Sequence, residues 1–382
     1  MPSKTDYDLI IIGAGIHGAA VARAAVHDGY SVCVLEQYTE AGLATSSRSS
    51  KLIHGGLRYL ESYQFKLVRD CLKERRILAA TAASLVKLLP FYIPVYKNSR
   101  RPGWLIQLGL FIYQLLGGGP YRKLKKSEWE KLDGLSQKDL LAVFEYTDGL
   151  TDDKKLTQQI LQRAIDKGLR FFTNCHVDKI QVQSDTVTVS TDTHPDISCR
   201  ILINASGPWV NQLLARVSPA VSTLAVDLVQ GAHIIIPRTL SKGIYYVEAD
   251  DGRVIFAIPW QQHCLLGTTE TAFTQQPEDC KALASEINYL LTTWNRYFSD
   301  HLRHDDVLQS FAGLRVLPAS DDTAFKRKRE TVLHCDNDTA PRIISIYGGK
   351  LTAHRHTAEL LMSIVHQRLP GHSHTDTSTL PL

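Results

Sequence analysis

The chain has 382 residues, 44% of them hydrophobic and 21% charged, as in ordinary globular proteins, so wholesale disorder is excluded. Its 24 glycines and 15 prolines follow no period, and a formal net charge of +4 gives no argument for a nucleic-acid partner. Seven cysteines, at 33, 71, 175, 199, 264, 280 and 335, are odd in number, widely spaced and without a CxxC, which excludes the common zinc spacings and a disulfide framework; reduced thiols in a cytoplasmic compartment are expected, and no metal.

The length corresponds to about two to three domains. No long apolar stretch precedes a cleavage site near the N-terminus, so no signal peptide is expected. Residues 7–12 (YDLIII) read as a short buried parallel strand. Gly13-Ala14-Gly15-Ile16-His17-Gly18 follows at once, then a helix rich in small residues over 19–27, then a second apolar strand over 31–35 that ends at Glu36. Strand, glycine turn, helix, strand and acid make a dinucleotide-binding unit. Gly13 permits the tight turn, Gly15 lets a pyrophosphate approach the backbone, and Gly18 lets the helix lie on the strand with its N-terminus toward the phosphates. Glu36 suits two ribose hydroxyls and opposes a 2′-phosphate. The motif alone does not separate FAD from NAD.

Residues 44–60 (ATSSRSSKLIHGGLRYL) cluster hydroxyls at Thr45, Ser46, Ser47, Ser49 and Ser50. They either donate to a pyrophosphate or flavin edge or form only a serine-rich loop. A long polar helix is expected over 64–87. Residues 104–116 (WLIQLGLFIYQLL) are the most lipid-like run, but far shorter than the roughly 20 residues that span a bilayer. Arg100 and Arg101 precede it, and Arg122, Lys123, Lys125 and Lys126 follow. It reads as a core helix with solvated ends or as a surface helix that touches an anionic membrane.

An acidic first turn suits a helix over 152–167. Strands are expected over 168–172, 176–182 and 186–191, and RILINASGPW (200–209) reads as a strand entering a small-residue turn. Residues 211–312 alternate with strand periodicity, interrupted by a helix over 279–298. SFAGLRVL (310–317) follows. The run Lys326-Arg327-Lys328-Arg329 reads as a solvated loop rather than a nucleic-acid contact. IISIYGGKLT (343–352) repeats strand, glycine pair and helix start; its backbone N–H groups would suit the negative charge of a reduced flavin near N1 and O2. There is no internal repeat and no linker.

Taken together, Gly13 to Gly18, ATSSRSSKLIHGGLRYLE (44–61), NASGPWV (204–210), IPW (258–260), GTTE (267–270), AGLR (312–315) and YGGKLT (347–352) resemble the FAD-dependent glycerol-3-phosphate dehydrogenases. These belong to the wider D-amino-acid-oxidase-like flavoproteins. The resemblance runs in order from Asp8 to about Val365, and SSKLIHGGLRYLE is very specific to that family. It implies an α/β (α+β mixed) fold, with a Rossmann-type FAD-binding domain interleaved with a substrate domain of mixed β-sheet capped by helices. The FAD-binding domain would take residues 5–90, 151–210 and 313–368, the substrate domain 91–150 and 211–312, and a flexible tail 369–382. The sequence departs from the family in reading QGAH at 230–233 for KGSH, GTTE for GTTD, and Asp152-Asp153-Lys154-Lys155 for DDAR. Members usually continue into a helical C-terminal domain, so this sequence resembles a short form.

The resemblance places FAD against Gly13, Gly15, Ile16, His17, Gly18, Glu36, Gln37, Thr45, Ser46, Ser47, Ser50, Lys51 and Leu52. It adds Val177 near the adenine, then Ala205, Ser206, Gly207, Trp209, Gly313, Arg315, Gly348, Gly349, Lys350, Leu351 and Thr352. Oxidising a secondary alcohol needs a hydride acceptor, a base for the hydroxyl proton and a firm grip on the rest of the substrate. A phosphorylated polyol carries about two negative charges, and arginine binds phosphate oxygens in pairs. Arg58, Arg315 and Lys350 are therefore the expected anion clamp. His54 is the first candidate base and His233 the second, with Thr268 in the neighbouring substrate strands. Against the clamp stands a structural ion pair of Arg58 or Arg315 with Glu61 or Glu270.

The expected reaction is oxidation of sn-glycerol 3-phosphate to dihydroxyacetone phosphate by hydride transfer to flavin N5, with electrons passed to a membrane quinone or to oxygen. Three alternatives stand beside it. One is a related flavoprotein acting on another small anionic alcohol, 2-hydroxy acid or amino acid. Another binds FAD and a partner without turnover. The third, an NAD-using enzyme, leaves NASGPW and GGKLT without a role. A cytoplasmic protein in peripheral contact with the inner face of the cytoplasmic membrane, and a homodimer, complete the expectations.

Overall fold

The computed structural model describes residues 5–319 and 331–382, so the basic run at 326–329 lies outside the described residues. Two mixed sheets carry the chain. In the first, five strands run parallel in the order Arg170–Phe172, Val32–Leu35, Tyr7–Ile12, Ile197–Asn204 and Ile343–Tyr347. They are short and almost wholly apolar because both faces are covered. Leu9, Ile11, Ile201, Ile203 and Ile344 face the helices Ile16–His27, Asp153–Ile165 and His354–Arg368. Ile10, Ile12, Cys33, Leu35 and Leu202 face the strands Val177–Val182 and Val187–Thr191 and the short helix Val210–Leu214. Strand alternation alone sorts these side chains onto two faces. The first helix lies close to its strand because Gly18 has no side chain: a Cβ there would stand 1.9 Å from the Gly13 carbonyl oxygen. Asp152 caps the helix Asp153–Ile165 by accepting the Lys155 N–H at 3.1 Å.

The second sheet has ten strands. Its main path runs Thr271–Phe273, Val226–Ile236, His263–Gly267, Val254–Trp260, Ile244–Glu248, Val86–Tyr96, Leu140–Thr151, Leu52–Ile53, and Gln309–Pro318 also pairs with Val226–Ile236. One face buries Tyr92, Val143, Ile234 and Leu266 under the helix Ala284–Tyr297. The other buries Phe91, Phe144, Tyr146 and Leu265 under the helices Phe65–Thr81 and Gly103–Tyr113.

Several expectations shift. The helix expected over 64–87 ends at Thr81, and the chain turns into the strand Val86–Tyr96. Pro90 and Pro94 lie in that stretch and cannot continue a helix. The helix expected from 279 starts at Ala284. The borders placed at 90, 150 and 312 fall inside strands of the second sheet, because each of those strands is needed whole to complete its pairing. The tail 369–382, expected to be flexible, lies against the first domain. Leu382 N–H donates to the Thr81 carbonyl at 2.8 Å, Arg23 Nη2 donates to the Leu380 carbonyl at 2.9 Å, and Thr377 is buried beside Arg355 and Glu359. The tail thus supplies oxygens to two buried guanidinium groups that need them.

Candidate active site

A deep cleft opens at the C-terminal ends of the parallel strands, where open α/β sheets bind ligands. Gly13 stands at its base with φ +101°, and a Cβ there would lie 2.6 Å from the Ala205 carbonyl oxygen. Ser46 Oγ accepts the Ile16 N–H at 2.9 Å, which folds the hydroxyl-rich segment over the start of the first helix. Glu36 is buried; one carboxylate oxygen accepts the Ala14 N–H at 2.6 Å and the other the Tyr38 N–H at 3.0 Å. Burial pushes its pKa up against the pull of these N–H groups. Past Glu36 and Gln37 the wall continues through Cys175, His176, Val177 and Trp209. A glycine turn at a helix N-terminus, then a buried acid, then a mixed apolar wall suits a pyrophosphate, a ribose and a base in that order.

Most of the residues expected on this cleft line it; Gly18, Ser47 and Lys51 do not. Gly18 is spent on helix–strand contact. Ser47 Oγ donates back to the Leu43 and Ala44 carbonyls. Lys51 Nζ turns inward to Asp153 at 2.5 Å and to the Ser47 carbonyl at 3.1 Å. Asp153 also accepts from Ser49 Oγ at 2.6 Å. Lys51 and Asp153 therefore brace the segment from behind.

Beyond Gly348 and Gly349 the cleft becomes cationic. Arg58, Arg253, Arg315 and Lys350 line it together with His54, Phe256, Thr268 and Glu270. Lys350 Nζ lies 3.5 Å from the centre of the Tyr59 ring and has no hydrogen-bond partner among the described residues although it is buried. A buried ammonium in that state favours an anion strongly. Arg315 donates to Glu270 at 2.9 Å, to Thr268 Oγ1 at 3.0 Å and to the Thr269 carbonyl at 3.3 Å. The ion pair with Glu270 thus exists, and Arg315 still faces the cleft. Glu61 pairs elsewhere, with Arg101.

His54 sits among these cations. Its N–H donates to Thr352 Oγ1 at 3.1 Å, and its ring stands edge-on to Phe256 at 6.2 Å. Burial first, then Lys350, Arg58 and Arg75, press its pKa down to about 3. His233 is more enclosed: 1% exposed, its Nε2 2.9 Å from Ser50 Oγ and its ring stacked on Phe311 at 5.2 Å. Burial, with Arg315 and Lys51, likewise takes its pKa down to about 3. Behind His54, Asp148 accepts from Arg75 at 2.6 Å and from Tyr113 Oη at 2.6 Å, while Tyr113 Oη accepts the Gly55 N–H at 2.9 Å. This buried network fixes the backbone next to His54.

Arg48, Arg253 and Phe256 also line the cleft and were not expected there. Arg48 lay in view inside the hydroxyl-rich string. Arg253 and Phe256 lie just before and near the start of the strand Val254–Trp260, ahead of the IPW string, and the pairing of that strand with His263–Gly267 brings them in.

The model of the family described as DAO, FAD dependent oxidoreductase, matches residues 8–355. The D-erythritol 1-phosphate dehydrogenase of Brucella abortus (strain 2308) is 37% identical over 375 residues, covering 92% of this chain and 72% of that protein. The aerobic glycerol-3-phosphate dehydrogenase of Escherichia coli (strain K12) is 35% identical over 371 residues, with the same coverage of 92% and 72%. Among solved structures, the glycerol-3-phosphate dehydrogenase from Bacillus halodurans complexed with FAD aligns with a TM-score of 0.78 at 28% identity, covering 100% of this chain and 68% of that one. The chain therefore belongs to the FAD dependent oxidoreductases and, within them, to the glycerol-3-phosphate dehydrogenase family, with FAD as its cofactor.

Proposed function

We propose that the protein oxidises the secondary hydroxyl of sn-glycerol 3-phosphate, giving dihydroxyacetone phosphate. The observation that carries this reading is the group of four cations that line, with His54, the end of an FAD-type cleft. The dinucleotide would be held by the Gly13–Gly15 turn, Glu36, the hydroxyl-rich segment and the Gly348–Gly349 turn, and when bound it supplies the hydride acceptor. The chain's own residues do the rest. Arg315, oriented by Glu270 and Thr268, grips the phosphate with Arg58, Arg253 and Lys350. His54, neutral in this cationic surround, takes the hydroxyl proton on a ring nitrogen. Phe256 and the Tyr59 ring exclude water from that end.

The test is anaerobic mixing of FAD-loaded protein with sn-glycerol 3-phosphate while the oxidised-flavin absorption is followed. Bleaching supports the reading; a band that only dithionite bleaches sinks it. D-erythritol 1-phosphate belongs in the same experiment for two reasons. The Brucella relative carries that name, and Arg58 and Arg253 are shared between this cleft and a second one beside it. Faster bleaching by the four-carbon phosphate would move the substrate assignment to it.

The acceptor we propose is a membrane quinone. The helix Gly103–Tyr113 buries Ile106, Leu110 and Tyr113 and leaves Trp104 68%, Leu108 47% and Phe111 49% exposed. No helix among the described residues is long and apolar enough to cross a membrane, and this apolar face suits shallow insertion instead. The second cleft lies under it, between Leu57, Tyr63, Leu105 and Ile112, and shares Arg58 and Arg253 with the active site. Much of the expected basic flank is already paired: Arg101 with Glu61 and Glu248, Arg122 with Glu128 and Glu145. Membrane contact in this reading is mainly apolar. Trp104→Asp with Phe111→Asp should abolish co-sedimentation with vesicles and slow turnover with quinone, while anaerobic bleaching stays normal. Unchanged sedimentation would reject the assignment.

A further inference from the structure

We propose that Asp28, His366 and His374 form a zinc-type divalent-cation site that fastens the C-terminal tail to the far end of the first helix. The site lies away from the catalytic cleft, at the end of the helix Ile16–His27 opposite its glycine turn. One ligand atom from each residue can be chosen so that all lie within 4.8 Å of one another. Two imidazoles and one carboxylate are a donor set that suits zinc, with water in the fourth position. Bonds of about 2.0–2.1 Å in a tetrahedron put ligand atoms roughly 3.3 Å apart, so on binding the Asp28 Oδ2–His366 Nε2 pair, at 2.8 Å, opens slightly and the exposed His374 closes in.

The surroundings already orient the first two ligands. Asp28 is buried, 3% exposed. Its Oδ1 accepts the Thr375 N–H at 2.7 Å, while Oδ2 lies 2.8 Å from His366 Nε2. Tyr30 Oη donates to the Leu369 carbonyl at 2.9 Å, so its contact with His366 Nδ1 at 3.0 Å must be accepted from an Nδ1–H. That leaves Nε2 as the atom facing Asp28: with no metal bound it donates its N–H to Oδ2, and a zinc ion would take the place of that proton. A metal-bound histidine is ordinarily held in this way through its other nitrogen. The third ligand is delivered by its neighbours: Ser373 Oγ donates to the Asp28 carbonyl at 3.3 Å and Thr375 Oγ1 to the His27 carbonyl at 3.1 Å, on either side of His374. His372 stacks on Tyr30 with ring centres 3.9 Å apart and closes that side. The cysteine spacing that argued against a zinc site in the sequence could not have found this one, because none of its ligands is a cysteine and Asp28 lies 338 residues from His366.

Untagged, FAD-loaded protein, stripped with EDTA and dialysed, is titrated with zinc chloride, and bound zinc is counted after gel filtration. One zinc per chain is expected. Tyr30→Phe, which removes the group fixing His366, should weaken binding about tenfold, and His374→Ala by at least about as much. Zinc should also slow proteolytic removal of the tail in the wild type but not in His374→Ala. Flavin bleaching by sn-glycerol 3-phosphate should be the same in both proteins. Retention of well under one zinc per chain, or equal zinc affinity in His374→Ala, would overturn the site and leave Asp28–His366 as a plain ion pair.

Discussion

Arg315→Ala should do more damage than the loss of one phosphate contact. Arg315 is shared between the cleft and Glu270, whose side chain is 9% exposed. Losing a bidentate charge-assisted grip on phosphate costs about 3 kcal/mol. It also uncovers Glu270. A carboxylate roughly 8 Å from a phosphate that carries about two negative charges, at an effective dielectric of about 20, repels it by about 4 kcal/mol. The total of about 7 kcal/mol corresponds to a fall in kcat/KM of about 10⁵. The double variant Arg315→Ala, Glu270→Gln keeps only the first loss and should recover roughly a thousandfold. Steady-state turnover with a dye acceptor reads both, with the flavin absorption confirming full FAD loading. If the double variant is no better than Arg315→Ala, Glu270 does not act on the substrate through charge, and the argument fails.

Gly18→Ala should lower FAD affinity at least about tenfold, because the new Cβ would lie 1.9 Å from the Gly13 carbonyl and the phosphate turn must move; a flavin titration with wild-type affinity would contradict this. Lys51→Met leaves Asp153 buried without its ammonium partner and should cost about 3–5 kcal/mol in denaturant unfolding, much of it recovered when Asp153→Asn is added. His233 and His354 are buried with pKa values pressed to about 3 by burial and neighbouring cations or histidine. The folded state then binds fewer protons than the unfolded one below pH 6.5, so stability falls as pH drops from 6.5 toward 3. The two together give up to about 2.7 kcal/mol per pH unit, to be read from urea midpoints; a flat profile over that window would refute it. For His54, kcat/KM should show no limb from this group between pH 5 and 8, since the free-enzyme value is about 3. A limb near 6.5 that vanishes in His54→Gln would disprove the cationic surround.

The parts legible in the sequence are those where one local requirement selects the residue. Gly13 and Gly18 are required by contacts of 2.6 and 1.9 Å that any side chain would violate. The string around His54 and Arg58, and the turn at Gly348 and Gly349, were equally readable because each is contiguous. Arg253 and Phe256 were not, since strand pairing rather than sequence order brings them to the cleft. Val86–Tyr96 was hidden for another reason: Val86 follows a helix without a glycine stop, and the strand is buried on both faces over its last residues, so it lacks alternation. The tail looked flexible by composition, yet a carbonyl, a backbone N–H and a hydroxyl of it meet Arg23, Asp28 and Arg355 in turn, charges that composition cannot see.

The site's electrostatics join binding to proton transfer. Burial first, and then two of the cations that attract a phosphate, Lys350 and Arg58, hold His54 neutral and weakly basic. An incoming substrate with about two negative charges cancels much of that field, and its own body covers His54 from water. The first effect raises the imidazole's affinity for a proton and the second opposes it; at close range the charge prevails, because opposite charges within about 4–6 Å shift a pKa by about 1–3 units. His54 therefore becomes a competent base chiefly when a phosphorylated substrate is in place. A neutral polyol of the same shape would meet the same ring with its basicity still suppressed, so the cations select for phosphate twice, once in the grip on the substrate and once in the chemical step.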